Sequence, residues 1–79
     1  MYGDVNCDGQ VQINDAVVIM QSLANPSKFG LNGTDEFHIT KQGEYNGDVC
    51  DRGTSGITNK DALQIQKYVI GLIDDILSK

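Results

Sequence analysis

The chain has 79 residues, enough for one domain and too few for two. Hydrophobic residues make up 39%, so a core is possible, but a domain this small usually adds a disulfide, a metal or a partner. A net charge of −5 argues against nucleic acid, which needs clustered Lys and Arg, and no stretch approaches the roughly 20 apolar residues that span a bilayer. No charged-then-apolar leader follows Met1, as expected of a module taken from a larger protein. The acidic residues gather in two short Gly-containing stretches, which points to cations. Two calcium ions would add +4 and leave −1.

The first predicted element is a calcium loop from Asp4 to Asp15. Calcium takes six to eight oxygen ligands, and alternating loop positions 1, 3 and 5 are filled by Asp4, Asn6 and Asp8. Gly9 at position 6 permits the sharp turn, and Gln10 at position 7 supplies its main-chain carbonyl. Gln12 at position 9 suits a ligand acting through water, and Val11 at position 8 should point into the core. Asp15 closes the loop at position 12, where EF-hands carry Glu. Its side chain is one methylene shorter, so the following helix must sit closer. A carboxylate there also suits the positive end of a helix.

The spacing predicts a helix from about Asp15 to Ala24, with Ala16, Ile19 and Leu23 on its core face and Asn25-Pro26 as its stop. The connector, about 26–46, holds a loop over Phe29-Gly30-Leu31-Asn32-Gly33 and a short helix from a Thr40 cap to about Tyr45, weakened by Gly43. A repeat then begins. Asp15-Ala16-Val17-Val18-Ile19 returns 46 positions later as Asp61-Ala62-Leu63-Gln64-Ile65, and Gly3-Asp4-Val5 returns as Gly47-Asp48-Val49. Repeat one thus covers about 3–25 and repeat two about 47–71.

Asp48 and Asp61 should open and close the second loop, which spans 14 residues where the first spans 12. Counting back from Asp61 puts Thr58 at position 9, Ile57 at 8, Gly56 at 7 and Thr54 at 5. Asp51 is preferred to Cys50 for the position-3 role, because thiols suit soft metals and carboxylates suit calcium. The predicted metal ligands are therefore Asp4, Asn6, Asp8, Gln10 and Asp15, then Asp48, Asp51, Thr54, Gly56 and Asp61, with weaker binding at the second site. The second helix runs from about Asp61 to Ile70 with Ala62, Ile65 and Val69 inward, and Gly71 breaks it. Leu72, Ile73, Ile76 and Leu77 predict a final turn or short helix on the core.

Cys7 and Cys50 could form one disulfide or remain free, and with His38 they offer too few ligands for zinc. One His and carboxylates committed to metal leave no catalytic arrangement, so an enzyme is not expected. A calcium sensor is the rival from another class. It would need helices on both sides of each loop and a Met-rich groove, whereas only Met1-Tyr2-Gly3 precede the first loop and Met20 is the second Met.

Gly3-Asp4-Val5-Asn6-Cys7-Asp8-Gly9, Asp15 in place of Glu, the duplication, and Gln64-Ile65-Gln66-Lys67-Tyr68 before Gly71 together resemble a dockerin over essentially the whole chain. The long connector and the expanded second loop resemble dockerins of rumen-type cellulosomes. The resemblance implies an all-α dockerin fold: two antiparallel calcium loop–helix repeats with a short connecting helix and a site at each end. A ten-residue helix is about 15 Å long, beyond the roughly 7 Å Cα separation of a disulfide, so this fold argues against a Cys7–Cys50 bridge. It also implies two Ca²⁺, an extracellular setting, a monomer when unbound, and a cohesin domain of a scaffoldin as partner. The parent protein would be a carbohydrate-active enzyme.

In that family the docking positions lie at the end of each loop and along each helix. They map to Ile13, Asn14, Met20 and Gln21 in the first repeat and to Asn59, Lys60, Gln66 and Lys67 in the second. The two sets differ at every position, which implies one dominant docking orientation. Val17 and Val18 make the first helix the more apolar, so it is the expected interface, and the second face, with Leu63, is the alternative. Val17 and Met20 could instead pack on the connector at Phe29 or Tyr45.

Overall fold

The computed structural model describes residues 1–50 and 56–77, and these contain four helices. They are α1 (Ile13–Ala24), α2 (Pro26–Phe29), α3 (Lys41–Gly47) and α4 (Asn59–Val69). The described residues contain no strand and no helix long and apolar enough to cross a membrane. The α1–α4 pair is the main packing unit of the molecule.

Both long helices begin two residues before the predicted Asp, for one reason. Gln12 and Thr58 are the N-caps, each with extended backbone, and Asp15 and Asp61 occupy the third helical position. From there each carboxylate reaches back to accept the cap N–H, Gln12 N to Asp15 and Thr58 N to Asp61, both at 2.7 Å. Thr58 adds a hydroxyl that accepts from Lys60 N at 3.2 Å. The helix therefore starts where the loop's last residue can close it.

The core consists of Val5, Ala16, Ile19, Ile39, Val49, Ala62 and Ile65. Val11, Val18, Ile57, Ile76 and Leu77 pack around it, so Val11 faces inward as predicted and Ile57, its counterpart in the second loop, does the same. Leu23 and Val69 do not belong to it; they are 42% and 37% exposed because the last turn of each helix runs past the buried set. Val5, Ile39 and Val49, from the loops and connector, fill the space instead. Burying a Val or Ile side chain is worth about 1.5–3 kcal/mol. With five such residues and two alanines, this core is small, and the fold depends on its loops.

The connector is more ordered than its sequence suggested. Pro26 starts α2 directly after Asn25, since its missing N–H costs nothing at a first helical position. The chain then doubles back, with Asp35 N donating to Lys28 O at 3.0 Å and Ile39 N to Phe29 O at 2.9 Å. Thr40 caps α3 by accepting from Gly43 N at 3.0 Å, and α3 continues to Gly47, beyond the expected Tyr45. Gly43 does not stop this helix. A Cβ there would strike the Val5 carbonyl oxygen, so its absence lets α3 press against the start of the first loop.

Of the final turn or short helix expected after Gly71, the described residues form turns and bends and no helix. Gly71 takes a φ of +84°, the chain continues in bends, and Leu72 is 69% exposed. Ile76 and Leu77 still reach the core, held by a 3.1 Å bond from Gln64 Nε2 to Ile76 O.

Candidate functional site

The first loop is wound by its own carboxylates. Asp4 accepts from Asp8 N at 3.1 Å and from Gly9 N at 2.9 Å, which is possible because Gly9 sits at φ +89°. Asp8 accepts from Gln10 N at 2.9 Å. Asp15 spans the loop: its Oδ1 accepts from Val5 N at 2.9 Å and Asn6 N at 3.2 Å while its Oδ2 holds Gln12 N. Carboxylate oxygens of Asp4, Asp8 and Asp15 come within 4.8 Å of one another. This is the cluster of three among the described residues that could hold a metal ion.

The electrostatics of this cluster suit a cation. Asp15 is fully buried and Asp4 is 5% exposed. Desolvation pushes the Asp15 carboxyl above its usual range; bonds from Gln12, Asn6 and Val5 pull it down, and the nearby Asp4 charge pushes it up again. Buried like charges are costly unless they are compensated. The donors that converge are hard oxygens, with Asn6 and its amide oxygen exposed beside them. Gln10 is also exposed, its side chain accepting from Gln12 Nε2 at 2.5 Å. Cys7, at φ 60°, faces the Val5 carbonyl and the Thr40 hydroxyl, so the thiol stands apart from the carboxylates. The set fits a hard divalent ion and not zinc. Both cysteines are free.

The second loop repeats the closing half of this arrangement. Asp61 is fully buried, and its Oδ1 accepts from Val49 N at 2.9 Å and Cys50 N at 2.8 Å. Its carboxyl is likewise raised by desolvation, lowered by bonds from Cys50 and Thr58, raised by the Asp48 charge and lowered by the Val49 bond. Asp48 is half-buried, and Gly56 is exposed at φ +70°. Asp51 and Thr54 lie outside the described residues, so the structure does not place these two predicted ligands.

On the α1 face, Ile13, Val17 and Met20 are 42%, 38% and 40% exposed, and Asn14 and Gln21 are exposed beside them. Val18 departs from this set and packs toward the core. On α4, Asn59, Lys60 and Leu63 are exposed while Gln66 and Lys67 are half-buried. A cleft of about 350 Å³ separates α1 from the connector, lined by Asn14, Val17 and Val18 and by Glu36, Phe37 and His38. The connector residues beside Val17 are therefore Phe37 and His38, and Tyr45 pairs instead with Tyr2, ring centroids 6.1 Å apart.

Asn46 is a residue that the sequence did not single out. It is 3% exposed, its Nδ2 donates to Asp4 O at 3.0 Å, and its own carbonyl accepts from Gly3 N at 2.6 Å. The contact spans 42 positions, beyond the reach of any local pattern. Gly43, placed inside a helical stretch, was the available hint of a close approach in this region.

No protein-family model matches the chain. It is 67% identical, at a TM-score of 0.92, to a chain in a structure of the third ScaB cohesin of R. flavefaciens in complex with a group 1 dockerin; the match covers 95% of this chain and 94% of that one. It is also 56% identical over 75 residues to a xylanase/β-glucanase of Ruminococcus flavefaciens. That match covers 95% of this chain but 9% of the relative, so the chain spans less than a tenth of that protein's length.

Proposed function

The chain belongs to the dockerin family, and from that membership we propose that it is a non-catalytic, calcium-dependent module that binds a cohesin domain of a scaffoldin. Its task is to anchor a larger parent protein in an extracellular cellulosome. The observation that carries this reading is the 67% identity, across 94% of its length, to a chain solved in a cohesin–dockerin complex. The similarity to part of a xylanase/β-glucanase supports a polysaccharide-degrading enzyme as the parent.

Asp4, Asn6, Asp8, the Gln10 carbonyl and Asp15 would hold the first calcium, and Asp48, Asp51, Thr54, the Gly56 carbonyl and Asp61 the second. Calcium supplies the positive charge that offsets the buried carboxylates. The chain does the rest. Asp15 and Asp61 tie each loop's opening amides to the first turn of a helix, which sets the angle at which α1 and α4 leave the loops. α1 then offers Ile13, Asn14, Val17, Met20 and Gln21 as the docking face, because at the mapped positions it exposes three apolar side chains where α4 exposes one, Leu63.

The test is a binding titration of the chain against the third ScaB cohesin of R. flavefaciens, in calcium and in chelator. Binding in calcium that disappears with chelator supports the reading. Absence of binding to that cohesin and to a panel of scaffoldin cohesins, with calcium present, overturns it.

A further inference from the structure

Three consecutive residues at the start of the first loop are held by one short helix. Gly3 N donates to Asn46 O at 2.6 Å, and Asn46 Nδ2 donates to Asp4 O at 3.0 Å. Val5 lies against two glycines of the same helix: its carbonyl oxygen occupies the place of a Gly43 Cβ, and its Cγ2 lies 2.9 Å from where a Gly47 Cβ would be. Asn46 is fixed in turn, since Gln42 Nε2 donates to its Oδ1 at 2.8 Å. Its carboxamide thus has one orientation, with the donor toward the loop.

The same helix delivers the first residue of the second loop. α3 ends at Gly47 and Asp48 follows, its N–H bonded to Glu44 O at 3.1 Å as a continuation of the helical ladder. One residue, Gly47, therefore separates the side chain that grips Asp4 from Asp48, the proposed first ligand of the other loop. A rotation of α3 that shifts Asn46 shifts the Asp4 main chain and the Asp48 main chain together.

We propose that Asn46 is a positioning residue that couples the two calcium loops, so that filling either one raises the affinity of the other. The inference rests on the calcium reading above and adds to it a path between the sites. Drawing Asp4 onto an ion fixes its main chain, which fixes Asn46 and α3, which fixes Asp48. By linkage the effect is reciprocal.

Calorimetric titration with calcium alone tests this on the full chain, as wild type, Asp48→Asn, Asn46→Ala and the double variant. The quantity read is the ratio of first-loop affinities with and without an intact second loop. In the wild-type background the ratio is expected to be about fivefold or more, within the usual range for coupled sites. In the Asn46→Ala background it should collapse toward one. A merely structural role would lower both affinities by the same factor and leave the ratio unchanged, and that result overturns the inference. Gln42→Ala, at an exposed position, keeps Asn46 but frees its amide, so it reports if Asn46→Ala does not fold. Its ratio should fall part of the way, and an unaltered ratio there also counts against the coupling. Two loops that fill independently in wild type sink the inference and leave the calcium reading intact. A wild-type chain that binds no calcium removes that reading itself and the coupling with it.

Discussion

Asp15 and Asp61 make matching bonds in the two repeats. Val5 N donates to Asp15 Oδ1 and Val49 N to Asp61 Oδ1, each at 2.9 Å, although the second loop is two residues longer. Each carboxylate therefore joins the opening amides of a loop to the cap of a helix, and in the proposed function each also closes a calcium site. The extra length of the second loop leaves both of its ends in register with the first.

Removing either carboxylate should unfold much of the chain. Asp15→Ala leaves three amides without their acceptor, one of them buried, and cuts the metal site open. Breaking a buried charged network in this way costs on the order of 3–5 kcal/mol, against a total stability of about 0.05–0.15 kcal/mol per residue. Asp61→Ala should lose a comparable amount. Thermal unfolding in calcium, followed by circular dichroism, checks both; a midpoint within a few degrees of wild type for either variant contradicts the shared role.

The raised carboxyls of Asp15 and Asp61 give the metal-free chain a distinctive pH response. A group whose pKa is higher in the folded state favours folding below its unfolded value, here near 3.8, and that benefit fades as pH rises through the folded value. In chelator, the two buried carboxylates thus oppose folding at about pH 7 and do so less as the pH falls toward their folded values. Calcium should do the reverse, stabilising most at neutral pH, where protons no longer compete for the same oxygens. Melting curves in chelator and in calcium at about pH 5 and about pH 7 compare the two. A calcium-induced shift that is larger at the lower pH would rule this out.

What was legible in the sequence follows from how local each feature is. Asp4, Asp8 and Asp15, which the structure brings together, lie within twelve residues, and Ala16, Ile19, Ala62 and Ile65 repeat at helical spacing, so both features could be read directly. Helix starts were misplaced because Asp15 and Asp61 serve the loop and the helix at once. Ile39, Gly43 and Asn46 were missed for a different reason: each owes its role to a partner distant in the chain, such as Asp4 for Asn46. Leu23 and Val69 show the converse error, since correct periodicity continues past the point where there is a neighbour to bury it.

Gly43 offers a test in which propensity and packing disagree. Alanine is better than glycine inside a helix by about 1 kcal/mol, so an exposed Gly43→Ala would stabilise α3. Here the added methyl meets the Val5 carbonyl oxygen and must push α3 off the first loop. Overpacking of this kind costs about 1–3 kcal/mol, so the variant should be less stable and bind calcium more weakly. A raised melting midpoint would show that α3 does not press on the loop as described.

The choice between docking faces can be decided by paired substitutions. At the mapped docking positions α1 exposes three apolar side chains, Ile13, Val17 and Met20, whereas the equivalent positions of α4 are Asn59, Leu63 and Gln66. Burying apolar side chains against a partner carries most of an interface's energy, and a central residue lost to alanine typically costs 2 kcal/mol or more, about thirtyfold in affinity. Met20→Ala with Ile13→Ala should therefore weaken cohesin binding by at least about that factor, while Lys60→Ala with Leu63→Ala changes it by less than about threefold. All four positions are exposed, so melting midpoints in calcium should stay near wild type and separate lost contact from lost fold. Comparable losses from both pairs would mean that both helices face the partner. In that case the unequal sequences of the two repeats do not enforce a single orientation.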